Sequence, residues 1–177
     1  ELRIIDINNP QPKLLFTGRK DEEIYAKAWS PDGKIIYVTA FLYKPLQTRI
    51  LAITVKSGAI QVLKTFDFFW FFSTICVSPD GQFIAFDLST NGHSRGESDI
   101  YIMSREGKNE TTIIEHPADD RLLGWFPNKN QILFKSDRLG TWDAWVVSIE
   151  KGKASWKPKR ILTEMGKAWP MGFINNG

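Results

Sequence analysis

The sequence predicts an all-β fold: a β-propeller built from four-stranded antiparallel blades of about 48 residues, or part of one. Three observations predict it. A Ser-Pro-Asp-Gly turn recurs, in altered form, at one fixed interval. A short run of strand-forming residues follows each of the first three occurrences. Aromatic residues make up 13% of the chain, and aromatic and β-branched side chains suit a half-buried pleated surface.

The interval is the strongest of these. Asp32 stands in Ser30-Pro31-Asp32-Gly33 and Asp80 in Ser78-Pro79-Asp80-Gly81. Asn128 stands in Phe126-Pro127-Asn128-Lys129 and Asn176 in Ile174-Asn175-Asn176-Gly177. Successive landmarks are 48 residues apart each time. The residue three before each is Trp29, Val77, Trp125 or Phe173, always large or β-branched and apolar. A repeat near this length fits four-stranded propeller blades and exceeds most helical repeats. The turn chemistry agrees. Proline pre-sets φ at the first central position, Asp or Asn bonds local backbone at the second, and glycine relaxes the exit.

The elements follow in order. Residues 1–8 and 12–18 read as the third and fourth strands of a half blade spanning 1–23. The blade at 24–71 has its first strand ending at Trp29, a second at 35–38, a third at 49–55 and a fourth at 59–66. The blade at 72–119 repeats this with strands ending at Val77, then 83–86, 99–103 and 110–116. The blade at 120–167 does so with strands ending at Trp125, then 132–134, 143–147 and 159–163. Residues 168–177 read as the first strand of a further blade. The second strands are short, apolar and β-forming, too short for helices. Third and fourth strands are joined by glycine turns at Gly58, Gly107 and Gly152. The chain thus carries about 3.7 blades. It is expected to be a fragment, completed by further blades or domains of the same polypeptide or by self-association through open edges.

Composition narrows the function classes. The chain has 177 residues, 42% apolar and 24% charged, with a net charge of +3. This places it among globular domains. Lysine and arginine read as scattered, so no nucleic-acid partner is expected. No apolar run approaches the ~18 residues of a spanning helix, so no direct membrane insertion is expected. The single cysteine, Cys76, excludes an internal disulfide and reads as a small buried hydrophobe. The chain opens at Glu1, without Met or a signal-peptide pattern, and is expected to be a processed chain or an excised segment.

No residue set for bond chemistry stands out. Nucleophilic catalysis needs a base held beside the nucleophile. His93 and His116 are the only histidines, and no Gly-x-Ser-x-Gly elbow occurs. No His-Glu-x-x-His, EF-hand, phosphate loop or Gly-x-Gly-x-x-Gly occurs either. No catalytic residue, cofactor or metal is therefore assigned. His116 with Asp119 and Asp120 is a weak metal-ligand pattern, because its spacing is not diagnostic. Asp32 and Asp80 read as turn formers. Asp99 and Asp143, at equivalent places, are expected to bond backbone or neighbouring turns. Asp137-Arg138 is expected to form a hairpin element with a salt bridge between blades.

The sharper candidates are loops. Residues 66–72 read Phe-Asp-Phe-Phe-Trp-Phe-Phe and fall on the connection from a fourth strand to the next first strand. In a propeller such connections share a rim with the loops joining second and third strands. Here those loops are 41–48 and 89–98. Aromatics concentrated on a rim suggest a recognition patch. The partner-binding candidates are Phe68, Phe69, Trp70 and Phe71, with Tyr43, His93 and Arg95 beside them. The competing reading makes the aromatics packing between blades or domains. Trp142, Trp156 and Trp169 are secondary candidates for such a patch, with blade packing the favoured reading of each.

Several linked signatures resemble the WD40-like repeats of the TolB type. They are Ser30-Pro31-Asp32-Gly33-Lys34, Ser78-Pro79-Asp80-Gly81, Asp99-Ile100-Tyr101, and the run Ser136-Asp137-Arg138-Leu139-Gly140-Thr141-Trp142-Asp143-Ala144-Trp145. Departures are Lys129 in place of glycine, the loss of Ser-Pro before Asn176, and a first full blade without the Ser-Asp-Arg signature. The resemblance implies a six-bladed ring of an exported bacterial protein, periplasmic or otherwise extracytoplasmic. It implies a non-catalytic module for a protein or peptide partner. The alternatives it carries are the gating propeller of a prolyl-oligopeptidase-like or tricorn-like peptidase and an extracytoplasmic sensor domain.

Overall fold

The computed structural model describes residues 1–67, 74–89, 97–166, 168, 172 and 173. Among them every regular element is a β-strand and every pairing is antiparallel. The chain divides into two compact units, Glu1–Phe69 and Trp70–Gly177.

The first unit opens with a hairpin, β1 (Leu2–Asp6) and β2 (Asn9–Phe16). A four-stranded meander follows: β3 (Glu22–Trp29), β4 (Ile35–Tyr43), β5 (Leu46–Thr54) and β6 (Ile60–Phe66), hydrogen-bonded in that order. Side chains alternate across a strand, so Ile36, Val38, Ala40 and Leu42 of β4 share one face. They form a core with Leu15, Leu51 and Ile53. The opposite face of β4 carries Tyr37, Thr39 and Phe41, also buried. Burial on both faces explains why the strand reads as a nearly unbroken apolar run.

The second unit holds two sheets. One is β7 (Ile75–Val77), β8 (Phe83–Ser89), β9 (Ser98–Ser104) and β10 (Thr111–Ile114). The other is β11 (Asp120–Trp125), β12 (Gln131–Ser136) and β13 (Asp143–Glu150), closed by two short strands. These are β14 (Lys153–Ala154), which pairs the end of β13, and β15 (Lys159–Leu162), which pairs its beginning. The inner faces meet in one core that includes Ile100, Ile102, Leu122, Phe134 and Val147. Cys76 is partly buried against it, and burial pushes its thiol pKa up. Asp87, buried in β8, adds a polar tie. One oxygen accepts from the Thr74 amide at 3.0 Å and the other from the Leu122 amide of the next sheet at 3.2 Å.

The repeated turn explains the period. Ser30 N–H donates to the Ile35 carbonyl at 2.9 Å, and Gly33 N–H donates to the Ser30 carbonyl at 2.9 Å. The Ser30 hydroxyl donates to Asp32 and accepts from the Lys34 and Ile35 amides. Ser78, Asp80, Gly81 and Phe83 repeat this arrangement. Gly33 and Gly81 both sit at φ 69°, where a Cβ is unfavourable. The strands β6, β10 and β15 each carry a register shift in their pairing, beside Leu63, Ile113 and Ile161. Such bulges blunt an exposed edge.

Candidate functional site

In each unit one end of the meander gathers the β4–β5-type hairpin, the end of the outermost strand and the start of the innermost. This is the rim on which the sequence places its recognition loops.

In the first unit the antiparallel register sets Glu23 opposite Phe41, Tyr25 opposite Thr39 and Tyr43 opposite Leu46. All six therefore lie on one face. Tyr25, Tyr43 and Leu46 remain 48%, 45% and 47% exposed, which is unusual for large side chains so close to a core. Tyr25 packs edge-on against Phe41, with ring centroids 5.6 Å apart. Its hydroxyl donates to the Glu23 carboxylate at 2.9 Å. Tyr43 also hydrogen-bonds Glu23, and that bond raises its phenol pKa above the ordinary value, as it does for Tyr25. Gln47 donates to Asp67 at 3.1 Å, which pins the end of β6 beside the hairpin. The result is an amphipathic platform: two phenol rings around one carboxylate, flanked by an exposed leucine.

The rim of the second unit is charged. Asp99 at the start of the third strand accepts from the His116 amide at the end of the fourth, at 3.2 Å. Asp143 does the same for the Glu164 amide at 2.9 Å and also holds Arg160. Recurrence of these two aspartates is thus a strand-end tie. Glu97, Asp99, Glu115, His116 and Pro117 line an open cleft of about 550 Å³. Burial raises the Asp99 pKa, the His116 amide opposes that, and the carboxylates of Asp120, Glu115 and Glu97 add to it. The His116 Nδ1 accepts from the Ala118 amide at 3.1 Å.

Asp119 and Asp120, metal-ligand candidates in the sequence, are taken up by arginines. Asp119 pairs with Arg121, and Asp120 with Arg138 at 2.7 Å. No cluster of three or more His, Cys, Asp or Glu among the described residues could hold a metal. The expected inter-blade bridge from Arg138 is corrected: its partner lies in the same sheet, across the β11–β12 pair. The reason is register, which sets Asp120 opposite Ser136, two residues before Arg138. Asp137 instead accepts the Asp119 amide at 3.0 Å.

Of the sequence-derived recognition residues, the structure places Tyr43 on the rim. Phe68, Phe69, Trp70, Phe71, His93 and Arg95 lie outside the described residues, as does Trp169. Trp142 is half-buried, with the Lys135 ammonium 4.9 Å and the Arg121 guanidinium 5.2 Å from its ring centroid. Trp156 departs from the packing role: it is 78% exposed, on a segment that leaves the sheet between β14 and β15. Glu23, Tyr25 and Leu46 were not singled out in the sequence. Their joining depends on strand register, which alternation in the sequence only hints at.

A family model described as TolB beta propeller domain matches residues 1–164. Among solved structures, the chain is similar to TolB from Acinetobacter baumannii, at 25% identity over 89% of this chain and 36% of that one, with a TM-score of 0.68. It is similar to a putative TolB from Agrobacterium tumefaciens, at 18% identity over 93% of this chain and 58% of that one, with a TM-score of 0.66. A puromycin-hydrolyzing peptidase of Mycobacterium tuberculosis shares the fold at 18% identity, over 89% of this chain and 26% of that one, with a TM-score of 0.66. The chain therefore spans between about a third and three fifths of the two TolB structures. No curated protein sequence matches it.

Proposed function

The chain belongs to the TolB beta propeller domain family, and from that premise we propose that it is a non-catalytic scaffold that holds a protein or peptide on its loop rim. The observation that carries this reading is the platform of Tyr25, Tyr43 and Leu46 around Glu23. Exposed phenols supply contact area at low entropic cost and a polar tip for orientation. Phe68, Phe69, Trp70, Phe71, His93 and Arg95 are the other residues of this recognition surface, assigned from the sequence. The blades at 24–71, 72–119 and 120–167, with the half blade 1–23, are read as parts of one propeller. The family supports an extracytoplasmic, periplasmic location in a bacterial cell.

The test is a random peptide library displayed on phage and panned against the chain. Selected peptides are expected to lose about tenfold or more in affinity for a Tyr43→Ala, Leu46→Ala variant whose melting temperature is unchanged. Peptides that bind the variant equally well overturn the rim assignment, and a library that yields no binder overturns the scaffold reading. Replacing Phe69 and Trp70 by Ser is expected to abolish capture with folding intact; a collapsed fold assigns those aromatics to packing. The gating reading is separated by the flanking coding sequence, where a hydrolase domain with a Gly-x-Ser-x-Gly elbow favours it.

A further inference from the structure

The segment from the end of β13 to the start of β15 is strongly basic. Residues 151–160 read Lys-Gly-Lys-Ala-Ser-Trp-Lys-Pro-Lys-Arg, five cations, beside a single acid, Glu150 at the end of β13, which stands opposite Lys153. Arg160 is committed to Asp143. Lys151, Lys153, Lys157 and Lys159 are exposed and make no ion pair among the described residues. Trp156 stands between them, 78% exposed, the most exposed described side chain of its kind. The backbone is anchored: Ser155 N–H and its hydroxyl both donate to the Ser148 carbonyl, at 2.9 and 3.2 Å. Tryptophan on a fixed backbone, left in water amid lysines that make no ion pair among the described residues, has no role in packing the sheet.

We infer that this segment is a contact surface for an anionic lipid headgroup layer, with Trp156 seated at the interface and the four lysines among the phosphates. Indole favours the boundary between water and acyl chains, one end apolar and the other able to hydrogen-bond. Lysines immediately beside such an anchor add attraction to anionic lipid that fades within a Debye length. Nucleic acid fits less well. Single strands are held by successive aromatics along a groove, whereas here one indole protrudes. Phosphate recognition in nucleic acid also favours the bidentate guanidinium, whereas the free cations here are all lysines. Position agrees as well. β13 carries the chain from Asp143 on the acidic rim to Glu150, about 23 Å at ~3.3 Å per residue. That is more than twice the Debye length of about 10 Å at 0.1 M salt, so Lys151 and Lys153 at the far end of β13 are screened from that rim, whereas Lys159, opposite Val146, lies nearer it. The contact is peripheral, and no strand need enter the bilayer.

The test is co-sedimentation of the chain with vesicles of phosphatidylcholine alone or with 30% phosphatidylglycerol, about a third anionic. Partitioning onto the anionic vesicles is expected to exceed that onto the neutral ones by about tenfold or more at 0.05 M salt and to vanish by 0.5 M. A Lys151→Gln, Lys153→Gln, Lys157→Gln variant is expected to lose most of it, and Trp156→Ser several-fold with every charge retained. Equal partitioning onto both vesicles, or anionic binding that these variants leave intact, overturns the proposal. So does a single-stranded oligonucleotide that binds more tightly than the vesicles and is released by the same substitutions. Aggregation of Trp156→Ser, with the wild type failing to bind vesicles, assigns the indole to another part of the polypeptide and also overturns it.

Discussion

Two turns of the second unit stand at equivalent places and close in different ways. At Ser78 the hydroxyl is the hub: it accepts from the Phe83 amide at 2.9 Å and donates to Asp80, which in turn accepts from the Gln82 amide. At Phe126 there is no hydroxyl. The long-range backbone bond survives unchanged, Phe126 N–H to the Gln131 carbonyl at 2.9 Å. The tight one stretches to 3.4 Å at Lys129, against 2.8 Å at Gly81. In exchange, the Phe126 ring meets Phe173 at 4.8 Å, and Phe173 lies flush on Gly124, where an added Cβ would stand 2.6 Å from it. One turn is braced by a serine hydroxyl, and the other carries an aromatic contact. The backbone closure is the common requirement, and either kind of side-chain support meets it.

The largest break in this comparison is Ser78→Ala. Ser78 is buried, so the Phe83 amide loses its hydroxyl acceptor, and urea unfolding is expected to show a loss of about 2 kcal/mol. Gly124→Ala strikes the packed turn instead. The methyl must displace Phe173, and the expected cost is about 1.5 kcal/mol, with the Ser78 turn undisturbed in amide spectra. The smallest effect concerns Asp32 in the first unit, whose turn matches that of Ser78. The Ser30 hydroxyl, then the Lys34 amide and ammonium, hold its pKa at about 2, below the ordinary 3.8. A folded pKa below the unfolded one contributes stability above the unfolded value, which is lost as pH falls toward the folded one. Stability is therefore expected to decline between about pH 4 and pH 2, and Asp32→Asn to flatten that limb of the melting curve. An unchanged limb removes Asp32 from the turn's support.

The same contrast explains what could be read from residues alone. The period was legible because a hydrogen-bonded turn is local chemistry: serine, proline, aspartate and glycine must sit within four positions. The packed turn kept only its proline and a polar residue, so it showed through its phase rather than its composition. The rim was less legible. Tyr25 and Tyr43 meet on Glu23 through an antiparallel register, and Asp99 reaches an amide seventeen positions on. Neither leaves a mark at short range. The reading of lysine and arginine as scattered is corrected at residues 151–160, where five cations cluster around Trp156; a net charge of +3 over 177 residues does not show such a cluster.

Asp87 carries a consequence for how the second unit comes apart. Its two oxygens hold amides 48 residues apart in sequence, one just before β7 of its own sheet and one on β11 of the next. If β7 frays, the carboxylate loses one donor; if β11 slides, it loses the other. Either event takes a donor from a buried carboxylate, which is costly. The two sheets are therefore expected to open as one cooperative block, so that a protease finds no stage at which a single blade has peeled away by itself.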